Sequence, residues 1–170
     1  MSARPGSTTA AWPRPRSRSG LAAICAVVGC VLTLAACEVT GGTPADATEP
    51  EAWMTINGAR VALELAHTPA EQRVGLGGRD SLAWNRGMLF LYDEPSFPSF
   101  WMRGMRFDID IVWLRGDRIV DISHGVQHVP GGNGPTVRPR ELTDQVLEVP
   151  AGYAAAHGWR MGHQATLERH

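Results

Sequence analysis

Asp108 and Asp110 are the residues whose type and spacing point most directly to chemistry. They stand two apart in the run Phe107–Leu114, Phe-Asp-Ile-Asp-Ile-Val-Trp-Leu. On an extended strand alternate side chains leave the same face, which sets the two Cα atoms about 7 Å apart. Carboxyl groups at that spacing can work as a general acid and base of the glycosidase kind. Acids in strands are more often solvated or ion-paired. Arg103 and Arg106 are close enough in sequence to neutralise them across a bend at Gly104-Met105.

His124 and His128 raise the question of a metal. Four residues of extended chain separate them by about 13 Å, too far to share an ion bound at about 2 Å. They converge only if Gly125 bends the chain, with an acid such as Asp121 completing the site, so they are weak candidates and the expectation is no metal and no cofactor. Phe97, Phe100, Trp101, Phe107 and Trp113 form a dense aromatic group whose ordinary role is core packing. The sharper role is a stacking platform for a ligand ring, and Trp101, sharing strand parity with Arg103, is best placed for a rim. Trp101, Arg103 and Asp110 are therefore the candidate ligand-binding residues. No Ser-centred nucleophile elbow, phosphate-cradling Gly loop or zincin pattern appears.

The elements that must position these residues are mostly strands. Met88–Tyr92, Phe100–Met102 and Phe107–Leu114 are apolar runs separated by Pro95, Pro98 and Gly104, and read as consecutive strands of a core sheet. In the third run Phe107, Ile109, Ile111 and Trp113 share one face, and Asp108, Asp110, Val112 and Leu114 the other. Asn57-Gly58 predicts a two-residue hairpin turn between Trp53–Ile56 and Arg60–Leu65. Thr68-Pro69-Ala70-Glu71 is a capping box with Pro at the first helical position, so a short helix should run to about Leu76. Arg118–Ser123, Asp144–Val149 and Gln164–Glu168 add strands, Tyr153–His157 a second short helix, and the Pro- and Gly-rich Val129–Arg140 a long surface loop. The fold class expected is mainly β: a single compact β-sandwich or barrel-like domain over residues 53–170 with one or two short helices.

The first fifty residues are of another kind. Met1–Gly20 holds four Arg and no acid, and Leu21–Ala36 is an uncharged, mostly apolar run too short for a spanning helix of about 20 residues. This is the pattern of a secretory signal over residues 1–36. Leu34-Ala35-Ala36-Cys37 resembles the lipobox of bacterial lipoproteins, which implies cleavage before Cys37 and lipid on that cysteine. Residues 37–52 read as an acidic, Gly- and Pro-rich tether with a reach of roughly 20 Å. Four of the 16 Arg and none of the 17 acids precede Cys37, which leaves 12 against 17, a net charge of −5. A domain of that sign repels phosphate backbones, so nucleic acid is not an expected partner. Cys25 and Cys30 would leave with the signal, so the mature domain would have no free thiol for catalysis or metal binding.

Residues 55–168 resemble the bacterial and archaeal family known as domain of unknown function 192. The resemblance is carried by Glu64-Leu65-Ala66, Thr68-Pro69-Ala70-Glu71, Gly75-Leu76, Gly87-Met88-Leu89-Phe90, Ser99-Phe100-Trp101-Met102-Arg103, Asp110-Ile111 and Leu147-Glu148-Val149-Pro150-Ala151-Gly152. It implies a compact, mostly β fold, often exported or lipid-anchored, and no established reaction, cofactor or substrate. The chain departs from the family's pattern at Gly77-Gly78, at Gly104 where an Asn is usual, and at Asp108 where a Pro is common.

Together these readings predict an envelope protein held outside the cytoplasmic membrane by lipid on Cys37. Its domain would bind an envelope ligand or protein without catalysis, on a concave patch around Arg103, Asp110 and the Val129–Arg140 loop. The alternative is a hydrolase of envelope saccharides with Asp108 and Asp110 as the acid/base pair.

Overall fold

The computed structural model describes residues 49–169. The expected leader, Cys37 and most of the expected tether lie outside the described residues.

The fold starts from the Asn57-Gly58 turn. Both residues take positive φ, 48° and 79°, as a two-residue hairpin requires. The turn pairs β1 (Ala52–Ile56) antiparallel with β2 (Ala59–Ala66), with Ile56 opposite Ala59. Helix α1 (Pro69–Val74) follows, and both halves of its capping box form. The Glu71 amide donates to Thr68 Oγ1 at 3.2 Å, and the Thr68 amide donates to Glu71 Oε2 at 2.9 Å. This helix is the crossover to β3 (Arg86–Ser96), which runs parallel to β2.

The rest of the described chain comprises β4 (Phe100–Trp101), β5 (Ile109–Arg115), β6 (Arg118–Val126), β7 (Thr136–Val137), β8 (Thr143–Pro150), α2 (Tyr153–Ala156) and β9 (Ala165–Arg169). Seven strands form one sheet in the order β6-β5-β8-β3-β2-β1-β9. The Ile119 amide donates to His163 O at 3.0 Å and the Ala165 amide to Asp117 O at 2.7 Å. These bonds bring the start of β6 to the segment entering β9, so the sheet curls toward closure. Of the expected mainly β sandwich or barrel with one or two short helices, the described residues build the barrel-like form, with two.

The expectation of three consecutive strands does not hold. β8 lies between β3 and β5, and β4 leaves the sheet to pair with β7 as a separate two-stranded ribbon. The long loop after Val129 therefore contains a strand. Its partner is far off in sequence, which local patterning does not encode.

Alternation within the sheet separates two apolar layers. Met54, Leu63, Leu89, Val112, Leu147, Tyr153 and Trp159 belong to one. Phe90, Phe100, Met102, Ile109, Ile111, Trp113 and Val146 belong to the other. Tyr153 and Ala154 of α2 pack into the first layer, and Phe100 of β4 and Val137 of β7 into the second.

Candidate binding cleft

The two aspartates expected to act together are held apart by different partners. Asp110 lies on β5 with no exposed surface. Its Oδ1 accepts from the Gly125 amide at 2.7 Å and its Oδ2 from the Ala154 amide at 3.0 Å. The N-cap of α2 is Gly152, which has no side chain to offer, so Asp110 caps that helix from across the fold. Asp108 precedes β5 and accepts from His128 twice, from the backbone amide at 2.8 Å and at the imidazole Nδ1 at 2.6 Å. Those bonds, the side-chain one foremost, hold its carboxyl below the ordinary range.

The histidines are equally divided. Gly125 does bend the chain, at φ 55°, yet His124 Nδ1 lies 4.0 Å from Asp110 while His128 engages Asp108. Among the described residues no three His, Cys, Asp or Glu side chains gather around a common point. Asp121, the acid expected to complete a metal site, instead binds Arg140 through Nε at 3.1 Å and Nη2 at 2.5 Å. Arg106 pairs with Asp80 rather than with Asp108 or Asp110.

Arg103 and Trp101 are in a different place from Asp110. Both line a cleft of about 240 Å³, and Asp110 is not among its walls. One wall is α1 with Gln72, Arg73 and Val74; the other is formed by Phe100, Trp101, Arg103 and Met105. Gln72 Nε2 donates to Ala66 O at 3.2 Å and to Leu91 O at 2.8 Å, which pins the helix wall to β2 and β3. Trp101 is 54% exposed at the rim. A larger concavity of about 770 Å³ adjoins the cleft across Arg103, edged by Arg106, His128 and Val129–Asn133, so the start of the expected loop does border Arg103.

The floor holds a residue that the patterning of acids in Phe107–Leu114 did not point to. Glu148, in the middle of β8, pairs with Met88 of β3 and Ile111 of β5. Directly paired residues share a face, so its carboxyl enters the apolar layer of Phe90, Ile111 and Val146. It is 6% exposed, and its Oε2 is buried without a hydrogen-bond partner among the described residues. Burial pushes its pKa up to about 8, against a smaller opposing pull from Arg79. Arg79 is itself held by Glu64 through bonds of 2.6 and 2.7 Å, so its charge is largely committed elsewhere. Burial, with the Glu148 carboxyl adding to it, also pushes the Tyr92 phenol up to about 12.

Gly75 keeps this floor open. At φ 51° and ψ −135° it ends α1, and a Cβ there would sit 3.3 Å from Phe90 Cζ and 4.0 Å from Glu148 Oε2. The sequence did carry a sign of Glu148: it is an acid inside the otherwise apolar run Val146–Val149, where a solvated acid has no business. What the cleft can do chemically follows from its parts. It offers a neutral carboxyl at the floor, aromatic edges around it and cations at the mouth.

Residues 52–167 match the model of the DUF192 family, described as an uncharacterised ACR. A protein of unknown function from Novosphingobium aromaticivorans DSM 12444 is 30% identical over 67% of this chain and 83% of its own, with a TM-score of 0.62. A candidate transcription regulator from Sinorhizobium meliloti 1021 is 24% identical over 70% of this chain and 95% of its own, also with a TM-score of 0.62, a likeness of fold alone. No curated protein matches the chain.

Proposed function

The chain belongs to the DUF192 family, and from that premise we propose that it is an exported, lipid-anchored envelope protein whose cleft binds a ligand without turning it over. The observation that carries the binding reading is Glu148: a buried carboxyl oxygen with no partner among the described residues, set in the floor of a cleft. Leaving such a group unsatisfied costs about 1–3 kcal/mol, and a bound ligand removes that cost.

Binding is favoured over saccharide hydrolysis by the count of acids. Glycoside hydrolysis ordinarily needs two carboxyl groups flanking one bond. Among the described residues the cleft is lined by one, Glu148, while Asp108 and Asp110 are engaged elsewhere by His128 and by backbone amides. Export and anchoring rest on the cationic, apolar leader and on Leu34-Ala35-Ala36-Cys37. The membrane, reached through lipid on Cys37, and an envelope ligand are the partners this reading supplies.

Two arms test it on the full chain produced in a bacterial host. Labelled palmitate should enter the wild type and not Cys37→Ala; equal labelling contradicts the anchor. Cell-wall glycan fragments added to the purified protein should shift the NMR signals of cleft residues in the wild type and not in Trp101→Ala, with the fragments recovered intact. Shifts that survive Trp101→Ala contradict a binding role for the Trp101 rim, and cleaved fragments contradict a non-catalytic cleft.

A further inference from the structure

Resting on the reading of this cleft as the binding site, we propose that its ligand is a single ring bearing a hydroxyl group on one side and one carboxylate on the other. A protonated carboxyl both donates and accepts, and so does a hydroxyl, so one ligand hydroxyl can satisfy both oxygens of Glu148. Its buried, unpartnered Oε2 marks where that hydroxyl goes.

The mouth sets the other end. Arg73 and Arg103 both line the cleft, are exposed, and have no hydrogen-bond or ion-pair partner among the described residues. A guanidinium binds a carboxylate through paired N–H groups, and two of them repel a cationic ligand. Between mouth and floor the walls are aromatic. Phe90 and Phe100 meet edge to face with ring centroids 4.8 Å apart, and Trp101 stands at the rim. Such walls favour the flat face of a ring. At about 240 Å³, below the range of about 300–1,000 Å³ typical of larger ligands, the space between Glu148 and the arginines holds about one ring.

Protonation supports this arrangement. Burial holds the Glu148 carboxyl neutral to about pH 8. Arg79, already bound by Glu64, and Tyr92 act on it; buried Arg86 lies on its face of β3, two residues before Met88; Arg73 and Arg103 stand at the mouth.

The chemistry described is shared by uronic acids and by hydroxylated aromatic acids, and calorimetric titration of the full chain with named probes separates them. Glucuronate is compared with glucose and glucosamine, and 4-hydroxybenzoate with phenol, while the Trp101 indole signal reports where each binds. In at least one series the acid should bind about tenfold or more tightly than its neutral analogue, and Arg103→Gln should erase that difference. Whichever acid binds names the source. Equal binding of acid and neutral ring, tighter binding of glucosamine, or no binding of any probe at millimolar concentration overturns the proposed ligand. The site itself survives the first two results if the Trp101 signal moves. A probe that binds without moving that signal, and binds Trp101→Ala equally well, removes the cleft as the binding site.

Discussion

Asp110 accepts a 3.0 Å hydrogen bond from the amide of Ala154, 44 residues further along the chain. With its other oxygen it holds the Gly125 amide at 2.7 Å. One fully buried carboxylate thus ties β5 to the turn inside β6 and to the first turn of α2. Removing it strands two amides, at about 1–3 kcal/mol each. Asp110→Ala should therefore cost about 3 kcal/mol in denaturant unfolding. Asp110→Asn, which keeps one acceptor, should cost about half as much. A stable Asp110→Ala protein would show that the carboxylate is not a structural cap.

Glu148 gives the stability a slope with pH. Its folded pKa, about 8, lies above its ordinary value of 4.5. Below 4.5 the carboxyl is protonated in both states and its contribution is fully present. Between 4.5 and 8 the unfolded chain releases the proton and the folded chain keeps it, so stability falls as pH rises. The slope from this group is at most about 1.4 kcal/mol per pH unit. Unfolding curves from pH 5 to 8 should show the decline in the wild type and a flatter profile in Glu148→Gln. Identical profiles would contradict the buried neutral acid.

How much of this could be read from the residues depends on the range of the interaction. The Asn57-Gly58 turn and the Thr68–Glu71 capping box are complete within four residues, and both form where expected. The alternation in Phe107–Leu114 correctly separates Ile109, Ile111 and Trp113 from Val112 and Leu114. Alternation does not say what covers each face. Asp110 looked like a solvated or catalytic acid because α2, which buries it, comes 44 residues later. The place of β8 between β3 and β5, and the departure of β4 to pair with β7, are likewise long-range pairings that no local pattern specifies. Glu148 was visible as one acid in an apolar strand, but a neutral buried carboxyl has no sequence signature distinct from a paired one.

The acid limb has other owners. Asp121 is held below its ordinary 3.8, first by the side-chain bonds from Arg140 and also by the Arg140 and Ile122 amides. A depressed carboxyl contributes stability above its unfolded pKa and loses it as pH falls through the folded one. Asp121→Ala should lower stability by about 2 kcal/mol at pH 7 and flatten the loss below pH 4. Unfolding followed from pH 7 to pH 3 decides it; an unchanged acid limb would assign that limb to other groups.

Gly87 fixes the distance between β3 and β8. A Cβ there would sit 2.8 Å from Glu148 O and 3.2 Å from Val61 Cγ1, and the nearer atom is backbone that cannot turn aside. Gly87→Ala should cost about 1–3 kcal/mol. It should also displace Glu148, so the carbon signal of that carboxyl should move with the loss of stability. A neutral substitution would mean that the strands have slack.

A neutral carboxyl in the floor of the cleft is tested most directly by titration. The side-chain carboxyl carbon of Glu148, assigned by its disappearance in Glu148→Gln, is followed by NMR from pH 4 to pH 10. The midpoint should lie near 8. A midpoint near the ordinary 4.5 would make Glu148 a solvated or paired anion and contradict the neutral carboxyl.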